Sequence, residues 1–419
     1  GISIGLHEFG HFYPAKKFGL HVGKFMVGFG PTLWSRRFGE TEFGIKAIPL
    51  GGYVSLSGMY PPTSTSTRGF RLFRRLVQDA RDASAETIVD DARTFYRLGT
   101  FKRIVIMLGG PFMNLVIATV LFLVLLSGIG VLSSTTTIGS IAECVKPVTT
   151  SDQTCSATDT PSPAVAAGLT PGDRLVSIDG RPITEWDSGT AIIRDRAGIA
   201  TEFVIERNGT EKTLTVTPVP NERYATDATG NLVLDADNKP TVTTVGYVGI
   251  GPELARVQQS PVVALEAVGT NVAGVAQIIV ELPQRMVEVW NAAFGSEARD
   301  PNGPVSVVGV GRIAGEVASL DGIDLLSRLS ALIGILASLN VALFVFNLIP
   351  LLPLDGGHVA VAIIDWIRVR IARVFGRPDP VPIDTARLVP ITVIASTILI
   401  GMSALLIYAD IVKPITLGP

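Results

Sequence analysis

Two histidines and a glutamate lie close together near the start of the chain, in the pentapeptide HEFGH. On a helix, the four-residue spacing of His7 and His11 separates their directions by only about 40° and their heights by one turn. Both imidazoles can therefore bind one metal ion, and Glu8 can act as a base on water beside it. The pattern is short enough to arise by chance, and a histidine on an apolar helix is more often a core residue. A third ligand is needed to decide.

The best candidate for a third ligand is Asp355, in the segment NLIPLLPLDGGHV. A carboxylate at mid-membrane costs about 2.5 to 3.5 kcal/mol, so it usually faces the interior of a helix bundle and has a partner there. A metal ion held by His7 and His11 would be such a partner. Asp355 can also cap the helix that follows, which is compatible with metal binding.

The backbone just before Asp355 is interrupted by two prolines. Pro350 and Pro353 end the apolar helix and release backbone groups that cannot remain unpaired in hydrocarbon. The sequence therefore predicts a cavity lined by protein or water at this depth. Asn347, one turn before Pro350, can hydrogen bond a substrate peptide in that cavity, and packing between helices is the alternative role for its amide.

Long apolar stretches surround these residues. Residues 104–132, 325–354 and 388–411 are long enough to cross a membrane,. The apolar run before His7 is too short to do so, and the chain begins with glycine, so we read a truncated first span and expect an apolar segment upstream in the complete gene product. The sequence thus predicts four transmembrane helices, in the segments 1–18, 103–132, 325–354 and 388–412.

The composition indicates a protein with both membrane and aqueous parts. Of 419 residues, 47% are hydrophobic and 17% are charged, and the net charge is -2,. A near-neutral chain lacks the basic excess that neutralises phosphates, which argues against a nucleic-acid partner. The lipid bilayer is the partner that the apolar stretches indicate.

Charge is distributed unevenly between the aqueous regions. Residues 14–103 hold fifteen Lys or Arg against seven acidic residues, whereas residues 133–330 hold fourteen against twenty-four. The positive-inside rule places the first region, and the loop 355–387, in the cytosol and the acidic region outside. Cys144 and Cys155 both lie in the acidic region, where they can form a disulfide if the compartment is oxidising; in the cytosol we expect free thiols.

The cytosolic side begins with strands. Residues 19–60 carry alternating runs punctuated by glycine, which predict β-hairpins at the membrane, and residues 61–102 are typical of a helical insertion. Pro14 is expected to mark the end of the first helix.

The external side divides into three parts. Residues 133–220 are typical of short strands, and residues 221–259 form a β extension or linker that is either a hairpin or a mobile loop. Residues 260–324 are a helical region, within which residues 260–294, interrupted at Pro283, are predicted to form one or two helices outside the membrane or on its surface.

Seven segments, in the same order, resemble the site-2 protease family of intramembrane zinc metalloproteases, in particular the bacterial branch that has PDZ domains and cleaves anti-sigma factors. They are HEFGH, VGFGPTLW, GETEFGIKAIPLGGYVSLSGM, GGPFMN, SPAVAAGLTPGDRLVSIDG, GPVSVVGVG and NLIPLLPLDGGH. The resemblance covers most of the chain. Through it, His7, His11 and Asp355 match the family's zinc ligands, Glu8 its general base, and Asn347 an asparagine associated with handling the substrate.

The segment IPLGGYV resembles the family's edge strand, against which an unwound substrate helix pairs. This makes four further residues candidates for substrate binding: Gly51, Gly52, Tyr53 and Val54. Residues 44–55 have the alternation that such a strand needs.

The resemblance implies a polytopic α-helical membrane protein with a membrane-associated β-hairpin region and an extracytoplasmic PDZ domain of β-rich α+β type. It also implies a zinc-dependent protease of the bacterial inner membrane, which cleaves the transmembrane segment of single-span substrates such as anti-sigma factors already trimmed by a site-1 protease. The alternatives are an inactive PDZ-containing scaffold and a zinc transporter. The proposed base and all three proposed zinc ligands are present, which argues against an inactive scaffold. The membrane segments show no internal repeat, which argues against a transporter.

Overall fold

The computed structural model describes residues 1–60, 71–150, 154–156, 158–225, 233, 235, 240–296, 298–300, 303–320, 324–378, 380 and 383–415. They form two compact units, a helical unit of Gly1–Ile129 and Gln259–Pro419 and a β unit of Gly130–Gln258. The sequence predicted helices and strands in the corresponding parts of the chain.

The helices, in chain order, are α1 (Ile2–Lys17), α2 (Arg71–Glu86), α3 (Thr100–Phe122), α4 (Pro163–Ala166), α5 (Trp186–Asp195), α6 (Pro261–Phe294), α7 (Val307–Ser319), α8 (Leu325–Asn347), α9 (Asp355–Val374) and α10 (Val389–Val412). The strands are β1 (Val22–Phe38), β2 (Thr41–Leu56), β3 (Val131–Ile141), β4 (Arg174–Ile178), β5 (Arg181–Pro182), β6 (Thr201–Arg207), β7 (Thr210–Val216), β8 (Val219–Tyr224), β9 (Val242–Tyr247) and β10 (Ile250–Val257).

Four helices of the described residues are long and apolar enough to cross a membrane: α3 with the π-helical turns that continue it to Ile129, then α6, α8, and α10 with its preceding turn. Three of these agree with the sequence prediction. Helix α1 has 16 residues, fewer than the roughly 20 that a span needs. The set of four therefore contains α6 in place of residues 1–18.

Helix α1 fills the predicted segment 1–18 but does not end at Pro14, where the sequence also predicted its end. Pro14 lies inside it, and the helix continues to Lys17. A proline lacks the N–H that would bond the carbonyl four residues earlier, so a single hydrogen bond is lost near the end of the helix. The chain then leaves the helix through a bond from the Phe18 N–H to the Pro14 carbonyl, 2.9 Å long.

Helix α6 is one continuous helix of 34 residues that contains Pro283, which is the one-helix alternative for this segment, and the helix is not interrupted at Pro283. Its first half packs Val268 against Phe122 of α3. Its last turns pack Val289 and Ala293 against Ala409 of α10. The two ends of α6 thus contact the carboxyl-terminal halves of two different helices.

Those two helices begin close together. Asp365 of α9 lies 3.8 Å from Arg103 at the start of α3 and accepts a 2.9 Å hydrogen bond from the Ile383 N–H, just before α10. Both ends of α6 therefore contact the opposite end of the bundle from this meeting point. Its length and composition allow a crossing, and the position outside the membrane or on its surface stays a prediction from the sequence.

Residues 355–387 were predicted to be a loop, but they contain the 20-residue helix α9. An apolar side of α9 packs on the helical unit through Val359, and Val361 and Ala362 are buried. This burial stabilises the helix that a capping role of Asp355 implied, within a segment otherwise predicted to be a loop. Helix α9 begins at Asp355, so the fold places this residue on the first turn.

Strands β1 and β2 form one sheet in which each strand bends back on itself. Met26 of β1 is paired with both Gly44 and Tyr53 of β2. Residues 22–29 therefore lie between residues 41–48 and residues 52–56. The strands predicted for residues 19–60 are present, and the last segment of β2 lies at the edge of the sheet.

The β unit contains a sheet in the order β10-β3-β4-β6-β7, with β5 beside β4. Helix α5 covers this sheet, and the core includes Trp186, Phe203 and Ile205. The predicted boundary at residue 220 is too early, because β10 pairs with β3 and joins the same unit. Strands β8 and β9 pair with each other, which is the hairpin alternative for this segment. Cys144 and Cys155 form a disulfide.

Candidate metal centre

Helices α1 and α3 approach each other so closely that their backbones touch. A Cβ atom added to Gly10 would lie 2.2 Å from the Gly109 carbonyl oxygen, and one added to Gly109 would lie 2.0 Å from that of Gly10. No side chain larger than hydrogen fits at either position without moving a helix. This contact brings His7 and His11 of α1 against α3.

Three side chains from two helices meet beside this contact. The Nε2 atoms of His7 and His11 are 3.2 Å apart. Oδ2 of Asp355, on the first turn of α9, lies 3.6 Å from the first of them and 3.4 Å from the second. The structure therefore brings together the three residues that the sequence proposed as ligands.

The three atoms fit a zinc ion. Ligand atoms held tetrahedrally at about 2.1 Å from zinc lie about 3.4 Å from one another, which is the separation observed here. Oδ2 of Asp355 is buried and makes no hydrogen bond with the residues that the structure describes. A buried carboxylate oxygen without a donor is unfavourable, and a cation would satisfy it.

Helix α3 also contacts the far side of each imidazole. Nδ1 of His11 donates a 2.8 Å hydrogen bond to the Ile106 carbonyl, which leaves Nε2 free to bind a metal. Nδ1 of His7 lies 3.1 Å from the side-chain amide of Asn114. Gly110 leaves room for the His11 ring, because a Cβ atom there would lie 2.2 Å from Nε2.

Glu8 lines a cavity of about 290 Å³ together with the three proposed ligands. The cavity is also lined by four of the other residues predicted from the sequence to bind substrate: Gly52, Tyr53, Val54 and Asn347. A Cβ atom on Gly52 would lie 3.1 Å from Cγ of Glu8, so β2 passes directly beside the proposed base. Such a site can activate water next to an extended peptide.

Gly51 is the predicted substrate residue that the structure does not bring into the cavity lining. It has φ +87, a conformation that favours glycine. A Cβ atom there would lie 2.1 Å from Cε2 of Phe29. Gly51 therefore forms the bend before the edge segment, and its predicted contact with substrate is not supported by this position.

The edge of the sheet is shorter than predicted. Residues 44–48 lie between two segments of β1. Among the described residues, residues 52–56 are paired on one side only, with the first segment of β1. Among the described residues, the edge segment that reaches the cavity is therefore the second part of β2, which includes the cavity-lining residues Tyr53 and Val54.

The turn between β1 and β2 is held to the end of α1 by one carboxylate. Glu40 accepts hydrogen bonds from Arg93 at 2.8 and 2.9 Å and pairs with Lys16 of α1. These hydrogen bonds, chiefly those from Arg93, lower the pKa of Glu40 to about 2. The sheet is therefore tied to the helix that carries the histidines.

Sequence reasoning assigned no role to three residues near the site. Asn114 contacts His7, and His358 and Met107 line the cavity. The motif GGPFMN contains Asn114, and in the sequence it contributes only to the family resemblance. Its position one turn after Gly110 on the same helix face is the signal that could have identified it.

Comparison with known proteins identifies the family. The model of peptidase family M50 matches residues 1–377. The chain belongs to peptidase family M50, the site-2 protease family. It is 33% identical to the zinc metalloprotease Rip1 of Mycobacterium tuberculosis over 425 residues, which cover 99% of this chain and 96% of that protein. It is 31% identical to zinc metalloprotease Rip1 of Mycolicibacterium smegmatis over 433 residues, with the same two coverages.

Membership of family M50 makes the protein a zinc metalloendopeptidase. The inactive scaffold and the transporter, which the sequence left as alternatives, are thereby replaced by a membrane protease of this family. The four helices that can cross a membrane agree with a multi-pass membrane protein. Zinc is the cofactor of this family of relatives, and the donor set of two imidazoles and a carboxylate suits it.

Proposed function

We propose that His7, His11 and Asp355 hold the catalytic zinc ion and that Glu8 is the general base of peptide hydrolysis. The observation that carries this proposal is the meeting of three ligand atoms within 3.6 Å of one another in the cavity that Glu8 lines. Three protein ligands leave a fourth position for water or substrate, which is typical of catalytic rather than structural zinc sites.

The chemistry then follows from the residues around the cavity. Zinc, when bound, polarises the scissile carbonyl and makes water more acidic. Glu8 takes a proton from the attacking water, whose oxygen forms the new bond to the carbonyl carbon. The protonated Glu8 then gives this proton to the nitrogen of the leaving amine as the C–N bond breaks. Atoms balance, and the enzyme forms no covalent intermediate.

The substrate must present an extended segment, because a helix encloses its carbonyl groups in its own hydrogen bonds. Residues 52–56 offer the free backbone of an edge strand beside Glu8. We assign them the pairing with an unwound substrate segment, and Asn347 of α8 a hydrogen bond to it. Proline substitutions of Tyr53 and Val54 should abolish cleavage and leave the zinc content intact; undiminished cleavage would remove this assignment.

The substrates in this proposal are single-span membrane proteins such as anti-sigma factors, already trimmed by an earlier protease. The β unit, with its sheet and the covering helix α5, is assigned as the PDZ domain, and the Cys144–Cys155 disulfide supports an oxidising, extracytoplasmic location,. We propose a multi-pass protein of the bacterial inner membrane whose PDZ domain lies outside the cytosol. There it excludes substrates with bulky external domains.

The size filter has its own test. Replacing Gly130–Gln258 with a short flexible linker should allow cleavage of an untrimmed single-span substrate as well as of its trimmed form. Continued refusal of the untrimmed substrate by this variant, while the trimmed form is cut, would count against the filter.

The central experiment compares the purified wild-type protein with Glu8→Gln, both loaded with zinc in lipid vesicles, on a labelled single-span peptide. The variant keeps the shape of residue 8 but removes the base, so cleavage should fall by about 100- to 10,000-fold. Its zinc content should equal that of the wild type. Equal cleavage by both proteins would overturn the role of Glu8.

A further inference from the structure

The two imidazoles of the metal centre are both held from behind by α3. His11 uses the Ile106 carbonyl, and His7 faces the side chain of Asn114. These two partners lie eight residues apart on α3, which is close to two helical turns. The first partner is a backbone carbonyl, which is present whatever residue occupies position 106. The second partner depends on the side chain at position 114.

Metal binding imposes a requirement on the His7 ring. The nitrogen that binds a metal must keep its lone pair, so the other nitrogen carries the proton and needs an acceptor. Nε2 of His7 faces Asp355 and His11, so the proton belongs on Nδ1. The partner of Nδ1 must then be an oxygen.

Asn114 presents its amide nitrogen to His7 Nδ1 at 3.1 Å. An amide nitrogen only donates, so this arrangement suits the tautomer with the proton on Nε2, which cannot bind a metal. Rotation of the amide by half a turn exchanges its nitrogen and oxygen in nearly the same space. The rotated amide accepts a hydrogen bond from Nδ1–H.

The surroundings of the amide leave this rotation unopposed. Asn114 is 1% exposed. Its Oδ1 atom is buried and accepts no hydrogen bond from the described residues of the chain. The rotation therefore breaks no hydrogen bond to the oxygen and gives that buried oxygen a donor, while the amide nitrogen gives up its contact with Nδ1,.

We infer that Asn114 is a positioning residue of the metal centre: its Oδ1 accepts the Nδ1–H of His7, holds the ring in place and leaves Nε2 free for zinc. This inference rests on the proposed zinc ligands. It assigns to the motif GGPFMN a chemical role, in which Gly110 leaves room for one ligand ring and Asn114 orients the other.

The rival acceptor is the backbone of Gly110, which also faces the His7 ring. If that carbonyl alone orients the ring, the side chain of residue 114 is needed only for packing. A variant at residue 114 distinguishes the two, because it removes the side-chain acceptor and leaves the backbone carbonyl in place.

The experiment measures zinc affinity by competition with a coloured chelator in the full-length, detergent-solubilised protein. Asn114→Leu should weaken zinc binding by about 10- to 100-fold, the usual effect of losing such a partner. Asn114→Asp, which offers only acceptor oxygens, should bind within about threefold of the wild type. Asn340→Leu is the matched control, since Asn340 is fully buried in α8 and bonds Ser3 and Leu336 instead; its zinc affinity should not change.

Each variant is first checked for folding by gel filtration, and Asn114→Ala replaces the leucine variant if leucine does not fit. The visible spectrum of the cobalt-substituted protein, which reports ligand geometry, should change in Asn114→Leu and be restored in Asn114→Asp. Wild-type affinity in the leucine or alanine variant would overturn the inference in favour of the Gly110 carbonyl. Equal weakening in leucine and aspartate variants would overturn it in favour of packing.

A failure of the zinc site itself gives a different result. His7→Ala should lose zinc more completely than Asn114→Leu. Full zinc binding by His7→Ala would refute the ligand set, and with it the basis for a role of Asn114, whereas loss in His7→Ala alone would refute only the positioning role.

Discussion

The two units of the protein each contain a carboxylate that is buried in a different way. In the β unit, Asp173 is fully buried and accepts hydrogen bonds of 2.6 and 2.7 Å from Arg207. In the helical unit, Oδ2 of Asp355 is buried and makes no hydrogen bond with the described residues. The first carboxylate finds its positive charge within the chain, whereas the second lies next to two imidazoles that suit a metal ion.

A structural and a functional acidic residue differ in the partner that satisfies the buried carboxylate. A buried carboxylate with its own arginine is satisfied when the chain folds, so its loss should affect stability. A carboxylate that has no hydrogen-bond donor and faces other metal ligands is satisfied by a metal ion from solution. Replacing such a residue should therefore affect metal binding before it affects stability.

The largest effect is expected from Asp355→Asn. The amide carries no charge and binds zinc poorly, so zinc affinity should fall by more than about 100-fold, beyond the effect of losing a supporting group. The chain should remain folded, because no hydrogen bond to Oδ2 is lost. Metal analysis after dialysis measures the loss of zinc, and gel filtration checks that the chain is folded. Asp173→Asn is the matched control and should keep its zinc. Loss of zinc in Asp173→Asn, with zinc retained in Asp355→Asn, would contradict the assignment of metal binding to Asp355.

The next largest effect is expected from Gly110→Ala. The added methyl group would lie 2.2 Å from Nε2 of His11, which is the atom proposed to bind zinc, so zinc affinity should fall by about 10- to 100-fold. Chelator competition measures it. The control is Gly401→Ala in α10, where an added Cβ meets no atom within 4 Å. Unchanged zinc affinity in Gly110→Ala would contradict the position of the His11 ring.

A smaller effect, confined to stability, is expected from Arg207→Gln. It removes the charged donor of Asp173 and should lower the free energy of unfolding of the β unit by about 2 to 3 kcal/mol, the size of hydrogen bonds to charged groups. Hydrogen exchange of the β-unit amides in the full chain measures this change. Zinc affinity should stay at the wild-type value, and a drop in affinity would mean that the two carboxylates are not independent.

The smallest effect is a dependence of β-unit stability on pH. Burial raises the pKa of Asp173, but the hydrogen bonds from Arg207 and the Thr170 N–H outweigh it and leave the pKa below its usual value. A lowered pKa means that the folded state binds the proton less readily than the unfolded state, so the stabilisation is present above about pH 4 and is lost as the pH falls further. In Asp173→Asn, hydrogen exchange between about pH 5 and 3 should lack this part of the acid sensitivity; an unchanged acid profile would rule out Asp173 as its source.

Much of the metal centre could be predicted from local pattern. His7, Glu8 and His11 are within one turn of a helix, so their common direction follows from the helix period. The proline-rich stop before Asp355 indicated a break in the helix, and α8 does end at Asn347. The extent of helix α9 and the course of α6 were not predictable in this way, because α9 depends on packing against α3 and α6 on packing against α3 and α10.

The supporting residues were also beyond local pattern. Asn114 is 107 positions from His7 in the chain, and their helices meet through tertiary contacts such as the close approach of Gly10 and Gly109. Gly51 shows the reverse case, because it belongs to a segment that resembles a substrate-binding strand, yet its backbone conformation places it at a bend.

By itself, the sequence determined the residue types that can bind zinc and move a proton, the apolar lengths that can cross a membrane, and the order of the segments. These depend on composition and on helical or strand period, which neighbouring residues define. Only the tertiary structure decided that three ligand atoms lie within 3.6 Å, that residues 52–56 form an edge of the sheet among the described residues, and that Asn114 faces His7. Those distances result from close packing of elements far apart in the chain, which no local pattern encodes.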